Sequence, residues 1–155
     1  MASFNSNSAA EADFQRGLEF SKENRHQEAL DAFRRSILTD PSYPEAYYNL
    51  GITLSNLGRW EEAIEAYRQL VEMRPELAEG YFNLGAAYGM TGRHQDAVNA
   101  LKQAIDLRPS YAEAHFNLGV AYLNLQNHLA ALGEYRILSA LDKPRADKLF
   151  GLIYK

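Results

Sequence analysis

Four glycines, Gly17, Gly51, Gly85 and Gly119, stand 34 residues apart. Ala29, Ala63, Ala97 and Ala131 keep the same interval, and so do Pro41, Pro75 and Pro109. Three residue types holding one period through 155 residues mark an array of repeated supersecondary units. Each unit is too small to bury its own apolar face and does so by stacking on its neighbours.

Position 1 of the units falls at Ala10, Pro44, Ala78 and Ala112. The second unit reads Tyr47, Leu50, Gly51, Leu54, then Ala63, Tyr67, Pro75; the third reads Tyr81, Leu84, Gly85, Tyr88, then Ala97, Leu101, Pro109. The fourth reads His115, Leu118, Gly119, Tyr122, then Ala131 and Tyr135. Apolar residues recur at helical spacing in two segments per unit, Glu45–Leu57 and Glu61–Met73 in the second. The glycine at position 8 and the alanine at position 20 are small because the two helices cross there. Proline at position 32 stops the second helix, having no N–H to donate and a ring that clashes with the preceding turn. Gly58 and Gly92 suit the left-handed residue that ends a helix, Asn24 can replace them, and Gln126 departs from the rule. Ser8, Ser42 and Ser110 each precede a glutamate by three residues, the spacing of a capping box.

This pattern resembles the tetratricopeptide repeat (TPR) family from about Ala10 to Lys143. The resemblance implies an all-α, right-handed superhelical solenoid of four helix-turn-helix units, residues 10–43, 44–77, 78–111 and 112–145. Residues 1–9, polar and rich in Ser and Asn, are expected to be disordered. Residues 146–155 are expected to form a capping helix or the start of a fifth repeat, with Leu149, Leu152 and Ile153 at positions 4, 7 and 8.

Charge and motifs narrow the function. A net charge of −4 argues against nucleic-acid binding, which rests on basic surfaces. The chain has no cysteine, hence no disulfide or thiolate metal site. No apolar run reaches the length of a membrane span and no signal-peptide pattern opens the chain, so a cytoplasmic protein is expected. No phosphate-binding loop, H-E-x-x-H or nucleophile elbow is present, so neither an enzyme nor a cofactor site is expected. His26, His94 and His128 share position 17, but equivalent positions lie about 10 Å apart, too far for one metal ion. Packing of the rings on a helix turn is the favoured reading.

In stacked helix pairs the first helices line the concave side. Position 5 places Phe14, Tyr48, Phe82 and Phe116 there, continued by Phe150; position 9 places Leu18, Ile52, Ala86 and Val120. Position 6 carries Gln15, Asn49, Asn83 and Asn117, and position 2 carries Glu11, Glu45, Glu79 and Glu113. The expected groove has an aromatic and aliphatic floor, a carboxamide row and an acidic edge. Two uses are open for the carboxamides: bonding to a neighbouring helix, or satisfying the backbone of an extended peptide, since an amide both donates and accepts. The TPR superhelix of O-GlcNAc transferases carries a similar asparagine ladder that grips peptide backbone; Asn49, Asn83 and Asn117 match it and Gln15 does not. Arg25, Arg59 and Arg93, in register at position 16, form a solvated edge or pair with acidic groups of a partner. Chaperone-binding TPR domains clamp a terminal carboxylate with Lys, Asn and Arg. Here Asn49 matches, but Phe14, Leu18, Glu79 and Asn83 occupy the other clamp positions, so the clamp is absent.

The expected function is binding of a peptide segment or helix of a protein partner through Phe14, Tyr48, Asn49, Ile52, Phe82, Asn83, Phe116, Asn117 and Val120, with the acidic edge favouring basic ligands. The alternative is a self-assembling scaffold or homodimer acting through the repeat ends, where Leu149 and Ile153 on one face and Phe150 and Tyr154 on another are apolar.

Overall fold

The computed structural model describes residues 3–155, with side chains from residue 8 onward. Among the described residues all regular structure is helical: α1 (Ser3–Lys22), α2 (His26–Thr39), α3 (Pro44–Asn56), α4 (Trp60–Met73), α5 (Ala78–Met90), α6 (His94–Leu107), α7 (Ala112–Asn124), α8 (His128–Leu141) and α9 (Lys143–Ile153). The chain forms two compact units, residues 1–75 and 76–155. The first packs α1 on α2, α2 on α3 and α3 on α4. The second packs α5 on α6, α6 on α7 and α7 on α8, with α9 laid against α7 and α8. This is the helical-repeat solenoid class with a capping helix.

The repeated small residues sit where helices meet. Ala29, Ala63, Ala97 and Ala131 are at most 1% exposed. A Cβ on Gly17 would collide with the Phe33 ring, and one on Gly51 with the Tyr67 ring. On Gly85 it would meet Leu101 at 2.6 Å. Phe33, Tyr67 and Leu101 all occupy position 24, so within each of these units one side chain of the second helix fills the notch left by glycine in the first. The fourth unit breaks the rule. The notch at Gly119 is filled by Leu149 of α9, 2.5 Å from the hypothetical Cβ, while Tyr135 at position 24 is half-buried and stacks on Phe150 instead.

Helix ends follow from local chemistry. The residues before Pro41, Pro75 and Pro109 are pushed out of the helical region and end α2, α4 and α6. The turns after α1, α3, α5 and α7 each close with an N–H bonding five residues back, from Arg25, Arg59, Arg93 and Asn127 to Phe20, Leu54, Tyr88 and Tyr122. That Schellman closure needs a left-handed residue, supplied by Asn24, Gly58, Gly92 and Gln126. Gln126 therefore adopts φ 60° without glycine's freedom. Gln126→Gly is expected to raise unfolding free energy by about 1 kcal/mol, the usual cost of a left-handed non-glycine residue, measured by denaturant titration.

Three local expectations are corrected. The capping boxes do not form. The N-caps of α3 and α7 are Tyr43 and Tyr111, without side-chain caps, so Ser42 and Ser110 stand one residue too early. Ser42 instead bonds Asp40 through both its N–H and its hydroxyl, and Ser8 lies inside α1. Helix α1 reaches back to Ser3, where disorder through residue 9 was expected; once Ala10 is buried, each preceding residue extends the helix by one bond. Residues 1 and 2 lie outside the described residues. Finally, α9 begins at Lys143, ahead of Ala146, because Asp142 caps it by accepting from the Arg145 N–H at 3.0 Å and Pro144 suits its first turn.

Candidate functional site

The expected groove residues lie on α1, α3, α5 and α7 but do not form a uniform row. In residues 1–75, Phe14 is 7% exposed, packed against Phe33 and Tyr43 with ring centroids 5.8 and 5.0 Å away. It is a core residue, not a groove-floor residue, because Tyr43 from the following loop covers it. Tyr48 and Ile52 on α3 are half-buried. The Asn49 amide donates to the Glu45 carbonyl of its own helix at 2.9 Å, which engages one of its two N–H donors and fixes its orientation along the helix.

Residues 76–155 hold the better-formed surface. Phe82, Asn83, Phe116, Asn117 and Val120 are all half-buried, on the neighbouring helices α5 and α7. Among the described residues the side chains of Asn83 and Asn117 make no hydrogen bond, to a neighbouring helix or to their own. Each keeps a free donor and acceptor beside a partly exposed ring. Phe116 and Val120 pack on the buried cluster Leu138, Ala146 and Leu149, so α9 supports the far end of this surface. Phe150, exposed, lies between Tyr135 and Tyr154.

Three of the four glutamates of the acidic edge pair with an arginine of the same chain. Glu79 bonds Arg108, which holds its carboxyl below the usual range. Arg108 also lies 4.7 Å over the Tyr111 ring, which in turn stacks on Phe82 at 4.9 Å. Glu113 accepts from Arg145 at 2.6 Å, and Glu45 pairs with Arg74 at 3.7 Å. Glu11 accepts from the Tyr43 hydroxyl and from Gln15, which lower its pKa in that order. The residue that closes back onto position 2 therefore comes from position 31 or 34 of the same unit. Tyr43, Tyr111 and Arg145 at position 34 were not singled out in the sequence; their recurrence at the repeat period was the available signal.

The arginine row is likewise committed. Arg25, Arg59 and Arg93 bond carboxylates three residues on, Glu28, Glu62 and Asp96, with Nε distances of 2.8, 2.6 and 2.8 Å. Arg25 and Arg93 also lie over the rings of Phe20 and Tyr88. The buried His115 places Nδ1 2.6 Å from Glu134 and Nε2 2.8 Å from the Pro109 carbonyl, a structural tie between α7, α8 and the loop before α7. Among the described residues no three His, Asp or Glu side chains converge as metal ligands, and no helix is long and apolar enough to cross a membrane.

Profiles for the tetratricopeptide repeat match residues 23–76, 46–110 and 82–144. No curated protein matches the chain in sequence. Among solved structures, one described as the crystal structure of MamA protein superposes with a TM-score of 0.89 at 30% identity, covering 94% of this chain and 81% of that one. A MamA structure from Desulfovibrio magneticus RS-1 gives 0.82 at 23% identity, over 87% of this chain and 76% of that one, and shares the fold. TTC0263, described as a thermophilic TPR protein of Thermus thermophilus, gives 0.71 at 27% identity, covering 94% of this chain and 81% of that one.

Proposed function

Because the chain belongs to the tetratricopeptide-repeat family, whose arrays serve as protein-interaction modules, we propose that it binds an extended peptide segment of a partner along the exposed faces of its first helices. The observation that carries this reading is the pair Asn83 and Asn117, half-buried, without hydrogen-bond partners, and set beside Phe82 and Phe116. A partly exposed carboxamide with no partner in the chain keeps its donors and its acceptor available to a ligand. An extended backbone offers the alternating N–H and C=O that an amide can satisfy whatever the peptide sequence. The rings supply apolar contact at little entropic cost, having few rotatable bonds. Val120 widens that floor, and Tyr48, Asn49 and Ile52 form a lesser patch in residues 1–75.

Charge is not the selector. Glu79 and Glu113, the glutamates on α5 and α7, are each paired with an arginine of the same chain, so the ligand that suits this surface is apolar or uncharged. The test is affinity capture from native lysate with wild type, Asn83→Ala/Asn117→Ala and Asn49→Ala. The double variant is expected to weaken capture roughly ten- to hundred-fold, the loss of a few hydrogen bonds. Asn49→Ala, whose amide is engaged within its helix, is expected to change capture little. Equal capture by all three proteins would move binding away from these faces.

A further inference from the structure

We propose that the outer face of α8 is a self-association surface, on which two copies of this chain meet α8 to α8, antiparallel, about Gly133. Positions 18, 19, 22 and 26 lie on the exposed side of the second helices and are polar or charged in the first three units; in the second they are Glu61, Glu62, Glu65 and Gln69. In the fourth the same positions are Leu129, Ala130, Gly133 and Ile137. With Ala140 and Leu141 these residues fall within about 120° of helix arc, the width of a core-facing stripe. Yet Leu129 is 82% exposed and Ile137 42%. The opposite side of α8 is already occupied, with Ala131 and Leu138 buried. α8 thus carries two apolar faces, and only one is covered within the chain.

The pattern itself indicates a second copy as the occupant. Leu129 and Ile137 each stand four residues from Gly133, so antiparallel pairing sets Leu129 against Ile137 of the other copy, twice. Gly133 then meets its own equivalent at the two-fold axis. A Cβ at Gly133 would have nothing within 4 Å, so the helix backbone is open to close approach there. The surface also lacks a carboxylate that would repel its own copy or call for a basic partner: Glu134 turns inward to His115, and Asp142 is held by Arg145. Arg136 alone borders the stripe as a charged group, and antiparallel pairing places it opposite Ala130 of the second copy. Antiparallel helices further set each N-terminus beside a C-terminus, a favourable alignment of dipoles. A pair of 14-residue helices is smaller than a standard interface of about 1,600 Å², so micromolar association is expected. This surface is separate from the one on α5 and α7, and its failure would leave that reading untouched.

Sedimentation equilibrium of the full chain up to about 500 µM tests the proposal. A reversible dimer is expected, weakened about thirty-fold or more by Leu129→Glu, which buries two carboxylates at the contact. Leu129 is so exposed that the variant monomer should keep its circular dichroism and melting profile. Because the chain has no cysteine, Gly133→Cys provides a second readout. Under mild oxidant it should form a disulfide-linked dimer at concentrations where Asn99→Cys, at the same repeat position in the third unit, does not. A monomer throughout the range, a dimer indifferent to Leu129→Glu, or equal cross-linking of both cysteine variants would overturn the assignment.

Discussion

Phe33→Ala is expected to destabilise the protein by about 3–5 kcal/mol, a large fraction of the stability of a domain this size. Phe33 is fully buried, its ring fills the notch at Gly17, and Phe14 packs on its other side. Truncation loses the transfer free energy of the ring and leaves a cavity between rigid helices that cannot collapse to fill it. The same substitution at Tyr135, which holds the equivalent repeat position, is expected to cost under about 2 kcal/mol, because that ring is half-buried and its notch belongs to another residue. Sequence periodicity alone would rank the two sites equally. Urea titrations of both variants, compared at the midpoint, decide between the rankings; equal losses would mean that Tyr135 is packed as Phe33 is.

Leu149→Ala is expected to cost about 2–5 kcal/mol. Leu149 is fully buried, sits in the Gly119 notch and joins Leu138 and Ala146 in the cluster beneath Phe116 and Val120. Helix α9 has 11 residues, too few to persist in water without such an anchor. A second substitution sharpens the test. Gly119→Ala alone is expected to destabilise, since overpacking costs about 1–3 kcal/mol against a gain of up to about 1 kcal/mol in helix propensity. In the Leu149→Ala background the obstructing methyl is gone, so Gly119→Ala should become stabilising. A coupling of at least about 1 kcal/mol is expected in the double-mutant cycle. Additive losses would place Leu149 elsewhere than over Gly119.

What the sequence made legible was whatever repeats locally. The interval between Gly17 and Gly119, the alanines at the crossings and the prolines after the second helices reflect constraints met within one unit. The helices accordingly fall within a residue or so of the segments read from periodicity in the second unit. What stayed hidden depends on residues brought together from far along the chain, or on a single-residue register. Phe14 holds the groove position by spacing, but Tyr43, 29 residues later, covers it. The glutamates share an acidic edge by spacing, but the cations that occupy Glu79 and Glu113 come from the ends of the same units, Arg108 after α6 and Arg145 in the first turn of α9. The capping boxes failed by one position, since Tyr43 rather than Ser42 opens α3. The apolar face of α8 lies where the fourth unit differs from the other three, at positions that packing within the unit does not constrain.

The candidate site was legible as a row and misjudged in its uniformity. Phe14, Tyr48, Phe82 and Phe116 share a repeat position, yet Phe14 is covered by Tyr43, Phe82 stacks on Tyr111 and Phe116 packs on the cluster that α9 completes. Asn49, Asn83 and Asn117 share another, yet only the second and third keep their amides unbonded. The proposal therefore rests on α5 and α7.

Its most direct test is NMR of the side-chain amides of the isotope-labelled protein, titrated with an extended, uncharged segment of a captured partner. The account predicts that the Asn83 and Asn117 NH₂ signals shift and become protected from exchange at saturation, together with ring signals of Phe82 and Phe116. Asn49 should respond weakly. Shifts confined to the outer helices α2, α4, α6 and α8, with Asn83 and Asn117 unmoved, would contradict it.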